Sequence, residues 1–261
     1  MSGYDNLHKL LDEYLNFEVA GKKVKIPYVM ERSRMAFNKT SGKGAPRMLK
    51  DEVLRVAESE GFDIEKASEF EVYDFMRNQR IGIDCSGLVY HLLNEYLQGE
   101  KDVDLSEVLV RKEGVFGLLE KNILSFQRHR RVNAATLTSE LNTVRVERAT
   151  DIKVGDLIRM SIKKPADHVL LVVDVDKDKD ANANSFSYVH SSSVNTKKRG
   201  PHLGKINVVD KEGGIEKQDW QERTKTGESY KIHFHPERGD GLRRLKLLAD
   251  EQDVKIDSDH V

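Results

Sequence analysis

The chemistry-bearing residues of this chain are few, and they gather around one stretch. Cys85 is the only cysteine in 261 residues. It lies in Ile81-Gly82-Ile83-Asp84-Cys85-Ser86-Gly87-Leu88-Val89-Tyr90-His91-Leu92-Leu93. Short polar residues and glycine surround the cysteine, and Leu88, Val89, Leu92 and Leu93 follow it at helical spacing. Asp84 is a good cap residue, so Cys85 falls in the first turn of a helix. Unpaired N–H groups and the positive end of the helix dipole favour an anion there. The expectation is a thiolate with a lowered pKa, beside donors that could receive an oxyanion during acyl transfer. The other reading of a lone cysteine is a buried structural thiol.

A thiol nucleophile needs a base, and the base needs something to orient it. Of nine histidines, two stand out by position. His168 opens the apolar run His168-Val-Leu-Leu-Val-Val-Asp-Val175, where a polar residue is costly unless partnered. His190 closes a following strand in which Phe186, Tyr188 and His190 share a face by alternation. A hairpin between the two strands makes them antiparallel neighbours and brings both histidines to one edge. The resulting line is Cys85 as nucleophile, His168 as base and His190 as the group that fixes the His168 ring. Zinc is not expected. There is no C-x-x-C or H-x-x-x-H pair, and His233-Phe-His235 has no cysteine near it. With no Walker loop and no G-x-G-x-x-G fingerprint, neither a metal nor another cofactor is expected.

These residues must be positioned by helices first and strands second. Helical patterns cover residues 4–17, 48–60 and 69–77, and the cysteine helix runs to about Gln98, where Gly99 stops it. Residues 99–150 are weakly patterned. They include the apolar patch 115–119 and the basic cluster 128–131, read as a solvated face. A turn followed by a strand covers 151–160, and further strands follow at 168–175, 186–191 and 206–209. Residues 210–229 read as charged and mobile, and 230–234 and 242–248 as strands that close the sheet. The fold class expected is α+β, with a central antiparallel sheet packed on the cysteine-bearing helix and extra N-terminal helices. One domain spans residues 1–250, with an insertion near 99–150 and a charged tail at 251–261.

Composition narrows the partners. Lys plus Arg is 43 and Asp plus Glu is 44, giving a net charge of −1, so no global field draws the chain to nucleic acid. No stretch approaches the roughly 18 apolar residues a membrane helix needs. No signal-peptide core is present near the N-terminus, and a single cysteine fits a reducing compartment. The chain is expected to be cytoplasmic as synthesised, with non-classical export or phage-type delivery as routes outward.

At these residues the sequence resembles the NlpC (p-sixty) family of cysteine peptidases, which cleave peptidoglycan stem peptides. The resemblance is carried by four segments in order: Asp84-Cys85-Ser86-Gly87-Leu88-Val89, Gly155-Asp156-Leu157, Asp167-His168-Val169 and Tyr188-Val189-His190. It covers roughly residues 70–195 and implies a papain-like fold, with Cys85, His168 and His190 catalytic. It further implies that Asp84, Ser86 and an upstream tyrosine recognise the amino end of a peptide or muropeptide substrate. Tyr73 has the usual spacing to the cysteine; Tyr28, in Ile26-Pro27-Tyr28-Val29, has the more typical neighbours. The family's W-G-G segment is replaced by residues 75–80, and the middle segment is longer than usual. The implied activity is amide hydrolysis through a thioester. Acyl transfer at the same site and a catalytically idle binding module are the alternatives.

Overall fold

Local capping chemistry sets where the helices begin. The computed structural model describes residues 1–30, 42–110, 132–164, 167–193 and 200–250. The patch at 115–119, the basic cluster at 128–131 and the tail at 251–261 therefore lie outside the described residues. Helix α1 (Gly3–Leu15) opens on a capping box formed by Ser2 and Asp5, and buries Leu7, Leu11 and Tyr14. A two-strand ribbon, β1 (Glu18–Val19) and β2 (Lys22–Lys23), follows it. Helix α2 (Pro46–Glu60) takes a proline in its first turn, where the missing N–H costs nothing, and ends at a left-handed Gly61. Helix α3 (Glu69–Asn78) has its own capping box, Ser68 with Glu71.

Helix α4 (Cys85–Lys101) begins at the cysteine, with Asp84 as its cap. It runs through Gly99 rather than ending there, and stops at a left-handed Asp102. Gly99 marks a close crossing instead: a Cβ there would sit 2.4 Å from the Gly3 Cα of α1. Glycine is the only residue that lets the two backbones approach this closely, and that need outweighs its poor helix propensity. Two short helices follow, α5 (Leu105–Val108) and α6 (Ala134–Leu137).

The sheet contains β3 (Thr143–Val146), β4 (Leu157–Met160), β5 (His168–Lys177), β6 (Ala183–Ser192), β7 (Gly200–Asn207), β8 (Asp219–Trp220) and β9 (Gly241–Leu245). Their order is β3-β9-β4-β5-β6-β7-β8, and every pair is antiparallel. Residues 242–245 thus join the sheet between β3 and β4 rather than closing it, while Tyr230–His233 forms a 3₁₀ turn. β7 starts six residues before the expected strand, because Gly200, Pro201 and Gly204 read as loop residues in sequence. In the fold they meet a need for space: a Cβ on Gly204 would strike the ring of Tyr188 at 2.2 Å.

The first six residues of β5 are buried on both faces. Val169, Leu171 and Val173, with Val189 of β6, join Leu88, Val89, Leu92 and Leu93 of α4 in one core. Leu170 and Val172, with Phe186 and Tyr188, join Ile206, Trp220, Tyr230 and Phe234 in a second. Each fully buried aliphatic side chain contributes about 1.5–3 kcal/mol relative to exposure. The architecture is therefore α+β, with the antiparallel sheet laid against the cysteine-bearing helix. Within the Gly155-Asp156-Leu157 segment, Asp156 accepts both a 2.8 Å bond from Arg244 Nε and a 2.8 Å bond from Arg244 Nη2. This buried pair ties the start of β4 to β9. Among the described residues no helix is long and apolar enough to cross a membrane.

Candidate active site

The nucleophile end is assembled from the turn before α4. Ile83 N–H donates to the Pro27 carbonyl at 3.0 Å, and the Ile83 carbonyl accepts from Ser191 Oγ at 2.8 Å. This fixes the approach to the helix from two sides. Asp84 Oδ1 then accepts the Gly87 N–H at 2.7 Å, as an N-cap should. It also accepts from Ser86 Oγ at 3.0 Å and from Lys43 Nζ at 2.9 Å. Lys43 donates further to Ser86 Oγ at 2.5 Å and to the Val132 carbonyl at 3.0 Å. Asp84, Ser86 and Lys43 are all buried. Asp84 and Ser86, expected to receive the amino end of a substrate, are both bonded in this structure to the Lys43 ammonium. Gly87 is required for this packing, since a Cβ there would meet the Gly42 carbonyl oxygen at 2.3 Å.

The thiol itself departs from the expected thiolate. Burial, and then the Asp84 carboxylate, push the Cys85 thiol up to about 12, against the opposing pull of Lys43 and the N–H groups of Val169 and Ser86. The helix N-terminus favours an anion, but Cys85 is only 5% exposed, and desolvation outweighs that field. The raised value favours the neutral thiol at Cys85.

The histidine end is a chain of buried hydrogen bonds. His168 Nε2 lies 2.8 Å from His190 Nδ1, the juxtaposition expected from the hairpin. His190 Nε2 in turn lies 3.1 Å from Glu222 Oε2. Glu222 also receives Tyr188 OH at 2.8 Å and lies 2.9 Å from His202 Nε2. The His190 ring is packed between His202 and Tyr230, at centroid distances of 4.2 and 5.1 Å. Burial opposes the charge on Glu222, but His190 and His202 more than offset it and hold the carboxyl well below its usual range. Burial, and then His190, keep His168 well below the ordinary histidine range, so its ring rests neutral.

The two ends meet at the start of β5. Asp167 accepts the N–H groups of Ile162, Lys163 and Lys164 through its carboxylate, which shapes the turn. Its carbonyl lies 4.0 Å from Cys85 Sγ. The Val169 N–H, on the other side of His168, is among the groups that favour the thiolate. The thiol therefore rests against the backbone on either side of His168, although no hydrogen bond joins it to the His168 ring. Catalytic contacts are often long in unliganded enzymes and tighten with substrate. With Nε2 engaged by His190, Nδ1 is the ring nitrogen left for proton transfer.

Of the two candidate tyrosines, Tyr28 is the one beside the cysteine. It bridges Ile83, two residues before Cys85, and its hydroxyl is held up by burial and then by the Cys85 charge. Tyr73 lies midway along α3, packed against the helical core.

Sequence reasoning missed Lys43, His202 and Glu222. Glu222 belongs to the stretch 210–229, read as mobile. There, Gln218, Trp220, Glu222 and Thr224 are all buried while Asp219, Gln221 and Arg223 are exposed. That period of two, with the chain's only tryptophan in it, is the signal that could have found it. Donor atoms of His190, His202 and Glu222 lie within 4.8 Å of one another, a group that could take up a metal ion among the described residues. Its ligands come from three separated segments, which spacing alone could not suggest.

No protein-family model, no curated protein and no solved structure matches this chain. The functional reading rests on the site and on the sequence motifs.

Proposed function

We propose that this protein is a thiol hydrolase that cleaves an amide bond through a thioester on Cys85. The observation that carries the reading is Cys85 at the capped start of α4, seated against the backbone that presents His168, whose ring is held by a buried polar relay. A nucleophile at a helix start, packed on an antiparallel sheet that bears the base, is the papain-like arrangement. The order of the D-C-S-G-L-V, G-D-L, D-H-V and Y-V-H segments supports a peptidoglycan-derived peptide as the substrate class.

In this mechanism Cys85 Sγ attacks the amide carbonyl as its proton passes to His168 Nδ1. Gly87 N–H is used by the cap and Leu88 N–H by the Asp84 carbonyl. The N–H groups of Cys85 and Ser86 then serve the oxyanion. Collapse breaks the C–N bond, and the amine leaves with the proton from His168. Water, deprotonated by the same ring, attacks the thioester and returns the proton to sulfur. Tyr28 replaces Tyr73 as the tyrosine facing substrate.

The test is a digest of muropeptides and stem-peptide amides, read by mass spectrometry, with and without an added amine. Hydrolysed products from the wild type and none from Cys85→Ala are expected. Amine adducts in place of acids would favour acyl transfer. The second reading, an idle binding module, is favoured by the raised thiol and the absent sulfur–ring bond; an inert wild type across the panel would establish it.

A further inference from the structure

Hydrogen-bond logic at the histidine end goes further than a triad. A histidine used to orient another histidine is ambiguous, because either neutral tautomer lets one ring donate to the other. In one arrangement His168 carries its proton on Nε2 and keeps Nδ1 bare as a base. In the other the proton sits on Nδ1 and the base is lost. Nothing in the 2.8 Å contact between His168 Nε2 and His190 Nδ1 chooses between them.

Glu222 makes the choice. An ionised carboxylate only accepts. His190 Nε2, 3.1 Å from Glu222 Oε2, must therefore carry a hydrogen. A neutral His190 then has a bare Nδ1, which must accept, so His168 donates from Nε2 and its Nδ1 stays bare. Two further groups hold the carboxylate in place. Tyr188 OH donates to Oε2 at 2.8 Å, and His202 Nε2 reaches Oε1 at 2.9 Å. The other His202 nitrogen, Nδ1, faces the Gly200 carbonyl at 2.8 Å. Both His202 nitrogens thus face acceptors, an arrangement satisfied only when both are protonated. Glu222 and His202 are both buried, with relative exposures of 4% and 7%.

We propose that Glu222 is the positioning residue that sets the tautomers of His190 and His168, with His202 as its counter-charge. Its catalytic consequence rests on the hydrolase reading above; the tautomer assignment does not. Substitutions elsewhere that impose the wrong tautomer on a catalytic histidine cost about 10⁴-fold, so the arrangement is worth a dedicated residue.

The direct test is a long-range ¹H–¹⁵N spectrum of the full chain labelled with [¹⁵N]histidine. The expected result is His168 and His190 each protonated at Nε2 and bare at Nδ1, with His202 protonated at both nitrogens. His190 protonated at Nδ1, or averaging between tautomers, would overturn the proposal. So would one equivalent of zinc per chain by metal analysis, with the Nε2 atoms of His190 and His202 both bare. In kinetics, Glu222→Ala is expected to lower turnover by about 10- to 100-fold, as loss of an orienting partner does elsewhere. Glu222→Gln is expected to recover most of that loss, its amide oxygen accepting from His190 and its nitrogen donating to His202. His202 then changes to singly protonated at Nδ1, a spectral shift that a merely structural role would not produce. An unchanged rate in Glu222→Ala overturns the proposal. Failure of the hydrolase reading leaves the wild-type spectrum as expected, so the two ideas fail separately.

Discussion

The nucleophile end and the histidine end solve opposite problems. Around Cys85 the cap is close in sequence, made by Asp84, Ser86 and Gly87, and Lys43 joins it from afar. Around His168 the partners come from β6, β7 and the segment after β8, with His190 lying 22 positions after His168 and Glu222 lying 32 after His190. One end is a helix terminus whose local field favours an anion yet whose burial suppresses it. The other is a buried polar chain whose charge survives because each member has a partner. A field at a helix end is weak beside full desolvation, whereas a connected network can keep a carboxylate ionised inside a core.

The largest effect that would break this comparison is on turnover. Cys85→Ala and His168→Ala are each expected to cost 10⁴-fold or more, and the double variant little beyond either single one, because the two groups act as a unit. Additive losses measured by initial rates would separate the two ends chemically.

Next comes a long-range partner of the nucleophile end. Lys43→Met leaves Asp84 buried without its cation, so a loss of roughly 3–5 kcal/mol is expected in urea denaturation. The same change is expected to raise the thiol pKa further, since Lys43 is a force that lowers it.

The pH dependence of stability distinguishes the ends by sign. The folded Cys85 thiol is held above its ordinary value of 9.0, up to about 12. Above pH 9 the unfolded chain loses a proton that the folded chain keeps, so this group's stabilisation falls as pH rises from 9 toward 12, by about 1.4 kcal/mol per unit. His168 is depressed below 6.5. Below pH 6.5 the unfolded chain binds a proton that the folded ring refuses, so stability falls as pH falls. Cys85→Ala should flatten the alkaline limb and His168→Ala should shrink the acid one, read by urea midpoints across pH.

The smallest effect sharpens the tyrosine assignment. Tyr73→Phe is expected to change stability by less than about 0.5 kcal/mol and leave turnover untouched. Tyr28→Phe is expected to reduce kcat/KM on stem peptides, about tenfold. A reversed pattern would restore Tyr73 to the site.

What was legible in the sequence follows the same division. The start of α4 could be read because a cap and an apolar stripe are local signals carried by Asp84 to Leu93. The pairing of His168 with His190 could be read because a hairpin joins their strands. Glu222 could not, because an inward-facing Gln218, Glu222 and Thr224 give alternation without hydrophobicity. His202 was hidden by Gly200, Pro201 and Gly204, which look like a loop but clear room for neighbouring chain and ring. Lys43 carries no pattern, since a buried lysine is recognisable only by its partners. The suppressed thiol was missed because sequence shows the helix end and not the depth at which it is buried.

The most direct test of the central claim is the mass of the intact protein, acid-quenched during turnover of a stem-peptide anilide. The account predicts an acyl group on Cys85 of the wild type, released by water over time and absent in Cys85→Ala. Anilide cleavage that continues in Cys85→Ala, or turnover in which no adduct ever forms on the sulfur, would contradict it.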